Sequence, residues 1–118
     1  MFKILDITKS ELIAIKVDGK LKKVDYDKVT PLIEKAVKDF GKIKLYIQLN
    51  DVEGIEPKAF REDVKTYLKH FNDMKKIAVV GKNRWEKMWS DLASPFISGE
   101  VKYFDYTEIE SAREWVQK

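Results

Sequence analysis

Residues 43–60 read IKLYIQLNDVEGIEPKAF. Ile43, Leu45, Ile47 and Leu49 fall on one side, and Lys44, Tyr46 and Gln48 on the other, which is the period-two pattern of a β-strand. The second half changes character. Asp51, Glu53 and Glu56 around Gly54 read as an acidic loop, and Pro57 opens a run in which Phe60, Val64, Tyr67, Leu68 and Phe71 recur at helical spacing. Strand, loop and helix in succession make the repeating unit of an α/β protein. Because a strand covered on both sides reads apolar throughout, the polar side of 43–49 predicts one drier sheet face, with most helices gathered on it.

The neighbouring segments extend the pattern. Upstream, FKILDI (2–7) and ELIAIKV (11–17) predict a β-hairpin, and Tyr26, Val29, Ile33, Ala36, Val37 and Phe40 form one helical stripe that ends at Gly41. Pro31 lies inside that stripe and predicts a kink or a separate first turn. Downstream, KIAVV (76–80) reads as a buried strand ended by Gly81, and Asn83 with Glu86 caps a helix carrying Trp85, Met88, Trp89 and Leu92. VKYFDY (101–106) reads as a last strand, with Thr107 and Glu110 as a capping box for a helix that turns Ile109, Ala112, Trp115 and Val116 inward. The order is ββαβαβαβα: an α/β fold with a mixed five-stranded sheet in one domain over residues 1–118.

Composition narrows the function classes. A chain of 118 residues with 44% hydrophobic and 36% charged residues matches one folded domain and lies far from the disordered regime. The absence of cysteine excludes disulfides, thiol catalysis and thiolate metal sites. The net charge of +3 is spread over interspersed acids and bases, so no nucleic-acid partner is expected. No apolar run is long enough for a membrane span, and MFKILDITKSE lacks the features of a signal peptide, so a cytoplasmic location is expected.

Nearly the whole chain, above all KHFNDMKKIAVVGKNRWEKMW (69–89) and EVKYFDYTEIESAREWV (100–116), resembles the SpoIIAA-like family, also described as STAS/CRAL-TRIO-like. The resemblance implies a small β/α domain with its helices on one side. It also implies two kinds of role: STAS domains are regulatory partners, some switched by a phosphorylated serine after the middle strand, and CRAL-TRIO domains hold an apolar lipid over the sheet. The switch motif of the sigma-factor antagonists, D-S/T-S/T-G-L, has no counterpart in NDVEGIEPKAF (50–60), which contains neither Ser nor Thr. Aligned on that motif, Glu56 and Pro57 take the acid and small positions and Lys58 the acceptor's, where it cannot be phosphorylated.

Four groups of residues are candidates for chemistry. The acids Asp51, Glu53 and Glu56 could form a metal or acid/base site, but their spacing fits no EF-hand loop, no histidine lies nearby in sequence, and acids before a helix also suit its positive end. His70, the only histidine, sits off the apolar stripe and reads as a surface residue. Lys82, Asn83 and Arg84, at a strand end and helix start, could contact an anion, although a Walker A loop is absent. Trp85, Trp89, Phe96 and Tyr103, with Phe104 and Tyr46, could line a pocket for an apolar ligand or could be plain core.

The combined reading is a non-enzymatic STAS-like module that binds a protein partner or an apolar or amphipathic small molecule, with no cofactor, metal or catalytic residue. Ligands of open α/β sheets gather at the carboxyl edge of the strands, where the 50–57 loop and the 81–85 turn are expected. The alternatives are an enzyme or anion-binding protein using that turn, with Lys82 or Arg84 converging on Asp51 or Glu53, and a homodimer formed through an exposed sheet face or edge.

Overall fold

In the computed structural model, residues 2–21, 23–55, 73–82 and 99–118 are described. The first two strands, β1 (Phe2–Ile4) and β2 (Leu12–Leu21), form the expected hairpin, pairing Phe2 with Val17 and Ile4 with Ile15. Thr8 closes it. Its hydroxyl accepts from the Ala14 N–H at 2.9 Å and donates to the Ala14 carbonyl at 3.1 Å, so a side chain takes the place of a backbone partner. Helix α1 (Lys23–Phe40) runs unbroken through Pro31 and ends where the Gly41 N–H donates to the Val37 carbonyl at 2.8 Å.

Strands β3 (Ile43–Ile55), β4 (Met74–Gly81) and β5 (Glu100–Asp105) complete a sheet of order β1-β2-β3-β4-β5, in which β2 to β5 are parallel and β1 is antiparallel. The acidic loop expected after Asn50 is not a loop at its start. β3 continues to Ile55, because β2 continues beside it and pairs Lys20 with Gly54 and Leu21 with Ile55. The chain ends in a 3-10 turn (Tyr106–Glu108) and helix α2 (Ile109–Gln117). The capping box is Asp105 with Glu108, two residues before the expected Thr107 with Glu110, and it caps the 3-10 turn, while α2 follows from Glu108 without a side-chain cap of its own. The same four-residue spacing occurs twice here, and the carboxylate of Asp105 takes the Thr107 N–H at 3.1 Å and its hydroxyl at 3.0 Å.

Two cores cover the two sheet faces. On one, Val29, Ile33 and Ala36 of α1 pack over Ile13, Ile15, Leu45, Ile47, Ile77 and Val79. On the other, Ala112 and Val116 of α2 pack over Leu12, Ala14, Tyr46, Ala78, Val80 and Phe104. Phe40, expected on the buried stripe, is exposed at the end of α1. The two described helices thus take one face each. The expected majority on one face turns on residues 57–71 and 83–92, which lie outside the described residues.

The polar side of β3 is not a wetter face. Lys44, Tyr46 and Gln48 are 9%, 0% and 8% exposed, because α2 lies over them. The Tyr46 hydroxyl donates to Gln48 Oε1 at 2.8 Å. Lys44 Nζ reaches the Gln117 carbonyl at 3.4 Å, and Lys76 Nζ donates to the Trp115 carbonyl at 3.1 Å while lying 4.9 Å from the Trp115 ring centre. The last turn of a helix presents carbonyls without helical partners and the negative end of its dipole. Lysines of the sheet meet both demands, since α2 carries no basic residue in its own last turn.

At the amino edge of the sheet, Lys75 Nζ donates to Glu11 Oε2 at 2.7 Å, and Lys44 Nζ stands 3.6 Å from Glu11 Oε1. The Lys75 hydrogen bond, then the charges of Lys75 and Lys44, hold the Glu11 carboxyl below the ordinary glutamate range. A lowered folded pKa stabilises the fold above the unfolded value and loses that contribution as pH falls through the folded one. Acid unfolding of the wild type is therefore expected to steepen below pH ~4.3 relative to Glu11→Gln. Equal slopes in urea-unfolding series at each pH would show that these ion pairs add nothing.

Candidate functional site at the carboxyl edge of the sheet

Asp18 and Asn50 are register partners on β2 and β3. One residue beyond the Gly81 and Asp105 pair, Lys82 and Tyr106 continue the same line on β4 and β5. Four polar residues therefore stand side by side across four parallel strands, Lys82 and Tyr106 just past the ends of β4 and β5, and Asp18 and Asn50 on β2 and β3 before these run on to Leu21 and Ile55. They are connected: the Tyr106 hydroxyl donates to Asn50 Oδ1 at 2.8 Å, and Asn50 Nδ2 donates to Asp18 Oδ1. A hydroxyl at one end and a carboxylate at the other fix which way the amide points. Lys82 Nζ lies 4.8 Å from the centre of the Tyr106 ring, within cation–π range.

A change in the β2–β3 register borders this row. It falls between Asp18 and Lys20, where Gly19 has φ +68°. This left-handed conformation is open to glycine without steric cost. Across the step β2 advances two residues, from Asp18 to Lys20, while β3 advances four, from Asn50 to Gly54, so β3 carries two extra residues. Past it, β2 and β3 continue together to Leu21 and Ile55.

The row offers a cation, a carboxylate, an amide and a phenol on the frame of the sheet, suited to polar recognition. The neighbouring hydroxyl and carboxylate, Thr107 and Asp105, have a structural explanation: the oxygen that accepts the hydroxyl also accepts the Thr107 N–H. The backbone N–H of Thr107, followed by its hydroxyl, holds the Asp105 carboxyl below its ordinary range, as expected of a helix cap. Among the described residues no group of three histidine, cysteine or carboxylate side chains could hold a metal ion.

Of the residues singled out in the sequence, Lys82 belongs to the row. Asn83, Arg84, Trp85, Trp89 and Phe96 lie outside the described residues, as do Glu56 and His70, and nothing is described of the Asp51 and Glu53 side chains. Tyr46 is buried in the core beneath α2, and Tyr103 packs on the opposite face with the α1 core. The structure therefore does not bring the two tyrosines together. Their parity explains this: Tyr46 pairs with Ala78 and Ala78 with Lys102, so Tyr103 points the other way. Asp18, Asn50 and Tyr106 were missed. They would have emerged from carrying the period of Lys16, Gln48, Val80 and Phe104 two residues further and aligning the strand ends.

A parallel four-strand core with an antiparallel edge strand and helices on both faces defines a small α/β domain. The SpoIIAA-like family model matches residues 12–117, and the chain belongs to that family. A crystal structure of an uncharacterised protein of the DUF3478 family from Shewanella loihica PV-4, with a SpoIIAA-like fold, is similar at 28% identity and a TM-score of 0.79. The match covers 98% of this chain and 92% of that one. None of the curated proteins matches the sequence. No described helix is long and apolar enough to cross a membrane.

Proposed function

We propose that this chain is a non-enzymatic binding module that recognises a protein segment or an amphipathic small molecule at the carboxyl edge of its sheet. The observation that carries this reading is the connected row of Asp18, Asn50, Tyr106 and Lys82 across four adjacent strands near the carboxyl edge. Polar groups already oriented by one another lose little freedom on binding, which favours recognition. The position agrees with the general preference of open α/β sheets for ligands at this edge. A lipid held between Tyr46 and Tyr103 is disfavoured, because the two rings lie on opposite faces.

The test is native mass spectrometry of the purified chain, combined with crosslinking in extracts of the source cells. An Asn50→Leu/Lys82→Ala variant is compared with Lys38→Ala, a change on the exposed end of α1. The wild type and the Lys38 variant are expected to retain a common bound species that the edge variant loses by tenfold or more. Retention by the edge variant, with its melting temperature unchanged, would reject the edge as the site.

A further inference from the structure

We propose that the amino edge of the sheet, at the end opposite the polar row, holds a second site for a small oxyanion of the carboxylate or phosphate type, built on Lys44. A solvent-open cavity of about 210 Å³ lies there, lined by Lys9, Ser10, Glu11, Leu12, Lys44 and Gln117, among others. Lys44 is only 9% exposed. Its ammonium has three donors, and a charge so far withdrawn from water requires partners at good distance.

The partners it has are remote. The Gln117 carbonyl, at 3.4 Å, is at the outer limit of a hydrogen bond, and Glu11 Oε1, at 3.6 Å, is beyond it. Glu11 directs its close contact, at 2.7 Å, to Lys75 instead. An ion pair built only for stability would draw Glu11 onto the buried lysine. Here the carboxylate is held on the exposed one, which leaves Lys44 donors for an acceptor in the cavity.

The surroundings add positive charge. Lys9 lines the cavity, and Lys76 is the register neighbour of Lys44, with its own ammonium on the Trp115 carbonyl. Opposing an anion are the Glu11 carboxylate, the carbonyls ending α2, and the exposed Glu100 beside Lys76. Ser10, with φ +53°, brings a hydroxyl to the lining, on a turn closed by hydrogen bonds of 3.0 and 2.9 Å between Lys9 and Leu12. A neutral ligand would satisfy the donors but not the charge, so an oxyanion fits best.

Sulfate and acetate are the probes, titrated in parallel into the full chain while backbone amide NMR shifts of residues 9–12 and Gln117 are followed. Saturable shifts are expected with at least one, and the tighter of the two distinguishes a phosphate-type from a carboxylate-type ligand. Lys44→Met should weaken binding at least tenfold, whereas Lys44→Arg should hold it within about threefold. Glu11→Gln, which removes the competing carboxylate, should tighten it at least about fivefold, the figure for one like charge ~4 Å away in bulk water being the lower bound. Saturation by neither probe, unchanged affinity in a folded Lys44→Met protein, or no tightening in Glu11→Gln would each overturn the site. Should Lys44→Met fail to fold, the Glu11→Gln comparison still decides.

Discussion

Tyr46→Ala lowers the free energy of unfolding by about 4 kcal/mol, as expected for removing a fully buried aromatic ring from a packed core. Tyr46 is 0% exposed and lies between Ala14 and Ala78 in the register of the sheet, beneath α2. Those flanking residues are small, so nothing beside the ring can expand into the space it leaves. Tyr46→Phe keeps the ring but removes the donor to Gln48 Oε1, leaving a buried acceptor unpaired at a cost of about 1 to 2 kcal/mol. Urea unfolding at neutral pH measures both. A loss below about 1 kcal/mol for Tyr46→Ala would mean that the ring contributes little to the core and would reopen a role for it in ligand binding.

The same residue adds an alkaline signature. Burial pushes the Tyr46 hydroxyl above the ordinary tyrosine range, with the neighbouring Arg113 guanidinium opposing the shift. A raised folded pKa gives a contribution that is complete below the unfolded value of about 10 and is lost as pH rises toward the folded one. Wild-type stability should therefore fall more steeply above pH ~10 than that of Tyr46→Phe.

The elements of the sheet were legible because each carries a local signal. The alternation from Ile43 to Leu49 specified a strand, and Val29, Ile33 and Ala36 specified the packed stripe of α1. The meaning of the polar strand face was not legible. Lys44 and Gln48 are where they are because a helix more than sixty residues away in sequence ends over them, and no local pattern encodes that encounter. Charge on a strand face was read as exposure to water, when its partners are carbonyls at a helix terminus. The candidate site was half legible for a related reason. Lys82 stood out beside Gly81, whereas Asp18, Asn50 and Tyr106 become a group only once parallel register aligns the strand ends. The cap of the 3-10 turn that leads into α2 shows a third limit: Asp105 and Thr107 head overlapping boxes of the same spacing, and only the folded geometry chooses between them.

Gly99→Ala is expected to cost about 3 kcal/mol, at the upper end for overpacking a close contact. A Cβ at Gly99 would fall on the backbone carbonyls of Met74 and Lys75, where the chain entering β5 crosses the start of β4. Flexible side chains can rotate away from an added methyl group, but the obstacles here are backbone atoms, and moving them disturbs the strand they begin. Gly19→Ala supplies the contrast. At φ +68° it has no heavy atom near its Cβ position, so its cost is the backbone conformation alone, about 1 kcal/mol. The two losses should also differ in where they act. Gly99→Ala displaces Lys75 and with it the Glu11 contact at the amino edge, whereas Gly19→Ala disturbs the register step beside Asp18 at the carboxyl edge. Amide shift changes should therefore centre on residues 11, 44 and 75 in the first variant and on residues 18 and 50 in the second. Equal unfolding costs, or shift changes at the same edge in both, would show that the β4–β5 approach is looser than this backbone geometry requires.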